Sequence, residues 1–331
     1  MYTFEEIVGN ELIIKNIQTA IVAGKLSHAY ILEGAKGMGK RLFANTIAKT
    51  LECKEKQSTP CGVCMSCKVF DSGNHTDVFY IRPEKAKSLG IDTIREQIIQ
   101  TVSIKPYEYD YKIFIIEHAD TMTIQAQNAL LKTLEEPPSY AVFFLLAENT
   151  EAFLATILSR CIVLKLRPLT VNKIEQYLVQ NRIGETDKAG VYAQYAQGSI
   201  GQALEIACSE EFETLRSQVI AWICSIYEKD FVSVMMLAKE MESYKTNSQF
   251  LELFLLWYRD VLTAKKMQSE QFIMQKDKIE LIFEHAQKET LESLFQKIDA
   301  VWTAKKQLNQ NANFQLCMEI MLMKLKESLK Q

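Results

Sequence analysis

Glycine and proline are scarce in this chain, and over its last 130 residues they are missing altogether. The 331 residues hold 12 Gly and 6 Pro, against average usage of about 7% and 5%. Every proline lies at or before Pro168 and every glycine at or before Gly201. Tight hairpins need such residues, so a β-sandwich or barrel over 202–331 is excluded and a helical segment is expected there. No charge of one sign dominates: Lys+Arg 38 against Asp+Glu 41 leaves a net −3. The balance is even along the chain, with 19 basic and 19 acidic residues in 1–167 and 19 and 22 in 168–331. Without a basic arm or lobe, any DNA contact is expected to be shared with partners. No apolar run approaches the ~20 residues of a membrane span. The opening Met1-Tyr-Thr-Phe-Glu-Glu does not read as a signal peptide. These absences predict a cytoplasmic protein with no membrane partner, long enough for two or three domains.

Eight cysteines in a reducing compartment are not a disulfide framework, and four are bunched. Cys53, Cys61, Cys64 and Cys67 read C-x7-C-x2-C-x2-C. A tetrahedral all-cysteine zinc site needs four thiolates within about 2.3 Å of one metal. The CxxCxxC run supplies three, Pro60 and Gly62 let the loop curl, and Cys53 closes the set. Four thiolates leave no open position for water or substrate, so the expected Zn2+ is structural. Cys161, Cys208, Cys224 and Cys317 are scattered in apolar surroundings and are expected in the core.

Upstream, the apolar run His28-Ala-Tyr-Ile-Leu-Glu33 leads into Gly34-Ala-Lys-Gly-Met-Gly-Lys-Arg41 and then the helical pattern Leu42, Phe43, Ile47, Ala48, Leu51. This is G-x-x-x-x-G-K between a strand and a helix, where backbone N–H groups at a helix N-terminus cradle phosphates. The match fails at the next position. The Ser/Thr that ligates Mg2+ in a P-loop is Arg41, which has only donors and is itself positive. Gly34, Gly37, Gly39 and Lys40 leave binding of a nucleotide (ATP or ADP) or phosphate open.

A P-loop hydrolase also needs a strand ending in a metal-organising Asp, followed by a Glu that activates water. Lys112-Ile-Phe-Ile-Ile-Glu-His-Ala-Asp120 has the buried apolar run of a central parallel strand, but it ends in Glu117 and His118. The extra methylene of Glu117 displaces its carboxylate by about 1.5 Å, an error that is costly in catalysis. His118 reads as a degenerate position released from catalysis.

Further motifs carry a resemblance. Asn128-Ala-Leu-Leu-Lys-Thr-Leu-Glu-Glu-Pro-Pro138, Phe143-Phe-Leu-Leu-Ala147, Ile157-Leu-Ser-Arg-Cys161, Ser27-His-Ala-Tyr30 and the cysteine insertion resemble the bacterial clamp-loader branch of the AAA+ proteins over about the first 210 residues. The helical tail agrees in character only. Three departures separate the chain from the family's ATPase motor, gamma/tau. Gly39-Lys-Arg41 stands for GKT or GKS, Glu117-His118 for Asp-Glu, and Gly201 for the usual Arg of the sensor-2 helix in Gly198-Ser-Ile-Gly-Gln-Ala-Leu204. The Ser159-Arg160-Cys161 motif is intact, and the resemblance implies that Arg160 is a finger reaching into a neighbouring subunit's ATP site. Such fingers neutralise charge on the transferring phosphoryl group and are worth about 10³ to 10⁵ in rate.

The expected architecture is an α/β P-loop (AAA+) domain over 1–167 with a parallel sheet and the zinc insertion, a helical lid over 168–208, and an all-α collar over 209–331. Strands are expected near Ala29 to Glu33, Asp77 to Ile81, Lys112 to Glu117, Val142 to Ala147 and Cys161 to Leu166. In the tail, Phe212, Leu215, Val219, Trp222, Ile223 and Ile226 keep a helix period. So do Phe250, Leu253, Phe254, Trp257 and Val261, and again Leu291, Leu294, Ile298, Val301 and Trp302. Most of these are expected in the core, with some buried between chains. The resemblance implies a non-hydrolysing subunit whose partners are gamma/tau and delta clamp-loader subunits and, through the assembly, the sliding clamp and primer-template DNA. Two other readings stay open: an active ATPase motor with unorthodox catalytic residues, and a zinc-dependent nucleic-acid-binding module.

Overall fold

Five short apolar runs form β1 (Ala29–Glu33), β2 (Val78–Ile81), β3 (Lys112–Ile116), β4 (Ala141–Ala147) and β5 (Ile162–Lys165). They lie in one sheet of order β2-β3-β4-β1-β5, with every pairing parallel. The computed structural model describes residues 2–83, 88–245, 250–310 and 312–327. All five expected strands are present. β3 and β4 are buried throughout, and apart from Lys112 at the start of β3 they are apolar, because both faces of the sheet are covered. Ile113, Ile115, Val142, Phe144 and Leu146 share one core with Tyr30 and Leu32; Phe114, Ile116, Phe143 and Leu145 share the other with Ile31. On that second face the rings of Phe79, Phe114 and Phe143 stack at 5.3 and 5.1 Å.

The strand order positions the site. From β1 the chain crosses to β2 at the far edge, whereas β5 lies on β1's other side. In such a sheet the reversal opens a crevice beyond the carboxyl ends of the strands. The segment after β1 turns there through Gly39, whose φ of +84° favours glycine, into helix α2 (Lys40–Leu51). That helix follows α1 (Glu11–Val22) and is buried continuously from Phe43 to Leu51, so it is a central element of the α/β unit. Helix α3 (Met65–Asp71) follows the cysteine-bearing loop. The buried ammonium of Lys49 ties α2 to α3, donating to both carboxylate oxygens of Asp71 at 2.7 and 2.8 Å.

Two compact units result, Met1–Ile174 with Gln197–Gln202 and Glu175–Ala196 with Ala203–Gln331. The second unit is helical, and it shows how a segment without glycine or proline still turns. Ser209, Asp230, Thr290 and Asn313 each cap a helix by accepting a hydrogen bond from the backbone N–H three residues on. Gln268 supplies a left-handed residue, φ +48°, just past the helix Phe250–Met267. Phe250, Leu253, Phe254, Trp257 and Val261 are buried, as their period predicts, and so are Phe212, Leu215, Val219, Trp222, Ile223 and Ile226.

Two expectations need correction. On the helix Leu291–Asn309 the buried stripe runs through Leu294, Lys297, Val301 and Ala304, which leaves Leu291 and Trp302 exposed at 43% and 55%. Lys297 takes an inward position because the Glu289 carboxylate and the Tyr227 hydroxyl bind its ammonium. Of the four scattered cysteines, Cys161 and Cys317 are buried but Cys208 and Cys224 are exposed. Cys208 follows the end of the helix Ile200–Ala207, and Cys224 lies beside the inward-facing Trp222 and Ile223 on a helix that buries another side. No helix among the described residues is long and apolar enough to cross a membrane.

Candidate functional site

Beyond the ends of β1, β3 and β4 lies a cavity of about 330 Å³ lined by Lys36, Gly37, Gly39, Lys40, Arg41, Leu42, Glu117, His118, Asp120, Leu146, Ala147 and Glu148. Both degenerate motifs therefore meet in one pocket. The parallel sheet brings them together: α2 starts just past β1, and Glu117 and Glu148 follow the last residues of β3 and β4. The Lys40 ammonium folds back on the loop, donating to the carbonyls of Gly34 and, at 3.1 Å, Ala35. Burial lowers its pKa, and the charges of Glu148 and Asp120 offset part of that shift. Asp120 links two strand ends by accepting from the Glu148 amide at 3.1 Å. His118 is exposed at the rim in a left-handed conformation, φ +53°.

A P-loop fold implies magnesium in such a pocket, and the residues present do not fit it. The hydroxyl needed at position 41 is replaced by a guanidinium. Arg41 Nε lies 3.2 Å from Glu117 Oε1, and Arg82 Nε lies 3.1 Å from the same oxygen. The carboxylate that a cation would use is thus already matched with two fixed positive charges. Both guanidinium groups also lie over the Tyr80 ring, 5.4 and 5.7 Å from its centre. The Tyr80 hydroxyl donates to Asn45 Oδ1 at 2.8 Å, and burial pushes its pKa up to about 12.

Gly201 stands where the family's sensor-2 helix carries an arginine, and the geometry gives the glycine a reason. Its N–H donates to the Gly37 carbonyl at 2.9 Å, and a Cβ at 201 would lie 2.7 Å from Gly37 Cα. Ser199 Oγ donates to the Lys36 carbonyl at 2.9 Å and accepts from the Gln202 N–H. The phosphate-loop tip and the segment 199–202 meet backbone to backbone, which leaves no volume for a side chain.

The four clustered cysteines do converge. The sulfurs of Cys53, Cys61, Cys64 and Cys67 all lie within 4.8 Å of one another, and those of Cys61 and Cys67 are 4.0 Å apart. A tetrahedral site with bonds of about 2.3 Å places its sulfurs about 3.8 Å apart, so the set fits one metal ion. Backbone amides of Cys61, Cys64 and Cys67 donate to the sulfurs of Cys53, Cys61 and Cys64 at 3.3, 3.4 and 3.5 Å. Burial works to raise the Cys64 thiol, but the Cys67 and Lys54 amides and the neighbouring thiols outweigh it and hold its pKa at about 6.

Arg160 follows the short helix Ala155–Leu158, which leads into β5. Its side chain is 31% exposed. Nη2 donates to Glu135 Oε1 at 2.6 Å, and Nη1 to the Thr156 carbonyl at 2.8 Å and Ser159 Oγ at 3.1 Å. Cys161 is buried behind it, with its pKa pushed up to about 12 by burial.

Arg82 and Glu135 are the residues that the motifs did not reveal. Arg82 is one residue past β2, and the register Ile81↔Ile116 carries it alongside Glu117. Only the strand order discloses that adjacency. Glu135 lies within the quoted LEEPP motif, so its position was visible but its partner was not.

Comparison with known proteins bears on the family of the chain. A family model described as "DNA polymerase III, delta subunit" matches residues 9–170, and one described as its C-terminal part matches 210–327. The chain is 33% identical over 327 residues to DNA polymerase III subunit delta' of Bacillus subtilis (strain 168), covering 96% of this chain and 97% of that protein. It is 36% identical over 210 residues to subunit tau/gamma of Haemophilus influenzae, covering 62% of this chain but 30% of that one. A solved gamma subunit-related protein from Thermotoga maritima aligns over 95% of this chain and 99% of that one, at 18% identity and a TM-score of 0.40. With identity at this level running from end to end, the chain belongs to the delta-prime family of DNA polymerase III clamp-loader subunits.

Proposed function

We propose that this chain is the non-hydrolysing member of a clamp loader and lends Arg160 to the ATP site of an adjacent gamma/tau subunit during loading of the sliding clamp on primed DNA. The observation that carries the reading is a contrast within one unit: the pocket pairs Arg41 with Glu117 where a motor holds magnesium, while Arg160 remains at the surface on partners it can leave. An exposed ion pair contributes about 0–1 kcal/mol, so releasing the guanidinium from Glu135 costs little compared with the gain on a developing phosphoryl charge. The same pocket argues against the motor reading. Arg41 has no oxygen to offer magnesium, and the Glu117 carboxylate is matched by two guanidinium groups.

In this reading residues 1–167 are the P-loop domain, 168–208 the lid and 209–331 the collar. Exposed Phe295, Trp302, Leu316, Ile320 and Met323 in the last region are the apolar surface that an assembly face needs. Cys53, Cys61, Cys64 and Cys67 would hold a structural Zn2+, whose chemistry there is to cross-link the loop and not to activate water.

The deciding experiment reconstitutes the chain with gamma/tau and delta and measures DNA-stimulated ATPase. Arg160→Ala is expected to assemble normally and to lose the turnover that depends on this subunit; unchanged turnover would sink the assignment. The isolated chain is expected to show no Mg2+-dependent hydrolysis.

A further inference from the structure

Of the four histidines only His285 lies in the helical unit, and side chains from four helical segments of that unit meet around its ring. We propose that this imidazole is an acid-sensitive joint: when neutral it bridges Trp257 and Tyr227, and when protonated it releases Trp257 and loosens the packing of the unit. The inference is independent of the finger assignment and of what the helical region assembles with.

The ring is buried and bonded at both nitrogens. Trp257, on the helix Phe250–Met267, donates its indole N–H to Nδ1 at 2.9 Å, and Nε2 lies 2.8 Å from the hydroxyl of Tyr227, just past the helix Glu210–Ser225. An indole N–H only donates, so Nδ1 presents a lone pair and the proton of the neutral ring sits on Nε2. Every further bond then runs one way. His285 donates to the Tyr227 oxygen, Tyr227 to Glu289 Oε1 at 2.7 Å and Ser293 to Glu289 Oε2 at 2.5 Å, while Lys297 donates to both Tyr227 and Glu289. Burial works to raise the Glu289 carboxyl, but hydrogen bonds from His285, Lys297, Ser293 and Tyr227 outweigh it and hold its pKa at about 2.

A proton added to this ring goes to Nδ1. An imidazolium has two N–H groups and no lone pair, so in either orientation of the ring Trp257 loses its acceptor and two donors face each other. Trp257 is 0% exposed, so solvent does not reach the orphaned N–H, and an unpaired buried donor is costly. The surrounding charges do not reverse this. Glu289 Oε1 is 3.8 Å from Nε2, but that carboxylate is already paired with Lys297 and bonded by the Tyr227 and Ser293 hydroxyls. Tyr227 and Tyr258 face the ring uncharged, their centroids 5.4 and 6.0 Å away. Cys224 on the helix before Tyr227 stays a neutral thiol, raised by burial and by Glu284. On the ring's own helix, Glu284 and Lys288 pair with each other at 2.6 Å. In the unfolded chain the same imidazole lies in water and takes up a proton below pH ~6.5, so acid favours opening of the unit.

The helical unit also holds all three tryptophans, Trp222, Trp257 and Trp302, so indole signals report on it alone. The test is denaturant unfolding of the full chain, followed by tryptophan fluorescence from about pH 7.5 to 5, for the wild type and for His285→Gln. The glutamine amide keeps an acceptor for Trp257 and has no proton to gain. One extra proton taken up on unfolding should make the wild-type unfolding constant rise faster than the variant's, approaching about tenfold more per pH unit below about pH 6. A second measurement uses the wild type only. Protection of the Trp257 indole N–H against hydrogen exchange, corrected for the intrinsic effect of pH, should fall over the same range by a similar factor. Identical pH profiles of the two proteins, or Trp257 protection that stays constant down to about pH 5, would overturn the inference. If His285→Gln does not fold, the protection measurement decides alone.

Discussion

Arg41 and Arg160 each lie against a glutamate, at 3.2 and 2.6 Å, yet the two pairs are built differently. Arg41 shares Glu117 with Arg82, and both guanidinium groups cover one tyrosine ring over a carboxylate that is 15% exposed. Taking Arg41 away disturbs the wall of a pocket. Arg160 is held by a carboxylate that is 47% exposed and by atoms of its own short segment. Taking it away disturbs nothing behind it. The difference teaches that an ion pair's surroundings, and not its length, decide whether an arginine is part of a wall or available to a partner: a shorter contact in solvent is cheaper to break than a longer one that is partly desolvated.

The largest effect should follow from removing the lendable arginine. On the proposed finger role, Arg160→Ala should lower turnover at the neighbouring ATP site by about 10³-fold or more, measured as DNA-stimulated ATPase of the assembled complex. If Arg41→Ala instead produced that loss and Arg160→Ala did not, the comparison would be inverted.

The next effect concerns metal, and it sharpens the contrast between a pocket that excludes a cation and a cluster that fits one. Elemental analysis should find about one zinc per chain, lost on Cys53→Ser. At free zinc near 1,000 times its Kd the ion stabilises the fold by about 4 kcal/mol, so chelation should lower the melting temperature. A chain purified in zinc that carries none would contradict the reading of the four sulfurs.

A smaller effect is expected at the loop tip. Gly201→Ala forces a methyl group against the Gly37 backbone at 2.7 Å. It should cost about 1–3 kcal/mol in chemical denaturation, as overpacking does. The smallest effect should come from Glu135→Gln. That pair is worth about 0–1 kcal/mol, so stability should change by no more than about 1 kcal/mol and assembled-complex ATPase should stay within about fivefold of wild type. A large loss of ATPase would mean that Glu135 positions the finger as well as holding it.

Much of the fold was legible before any coordinates. The strands are short apolar runs and the tail helices keep their period, since burial on two faces or on one stripe leaves a local signature. The C-x7-C-x2-C-x2-C spacing likewise specified the cluster, because three of its four sulfurs lie within seven residues of one another. Legibility ended where partners are distant in the chain. Glu135 is 25 residues from Arg160, and although it lies in a visible motif, nothing in that motif marks its partner. The stripe on Leu291–Asn309 was misread at Leu291 and Trp302 for a related reason: Lys297 looks like a surface residue until Glu289 and Tyr227 are seen to receive it.

The sequence by itself determined which chemistry is absent. Arg41 offers no lone pair, Gly201 has no side chain, and the tail holds no glycine or proline to make hairpins; composition alone suffices for such statements. The tertiary structure decided what replaces the absent groups. Strand order carries Arg82 to Glu117, a glycine pair seats the loop on 199–202, and parallel pairing of the strands brings both altered motifs to one cavity. The physical reason is range. Donor inventory, charge and periodicity belong to single residues or single turns, whereas a site is made of contacts between segments that only parallel register and packing bring within hydrogen-bonding distance.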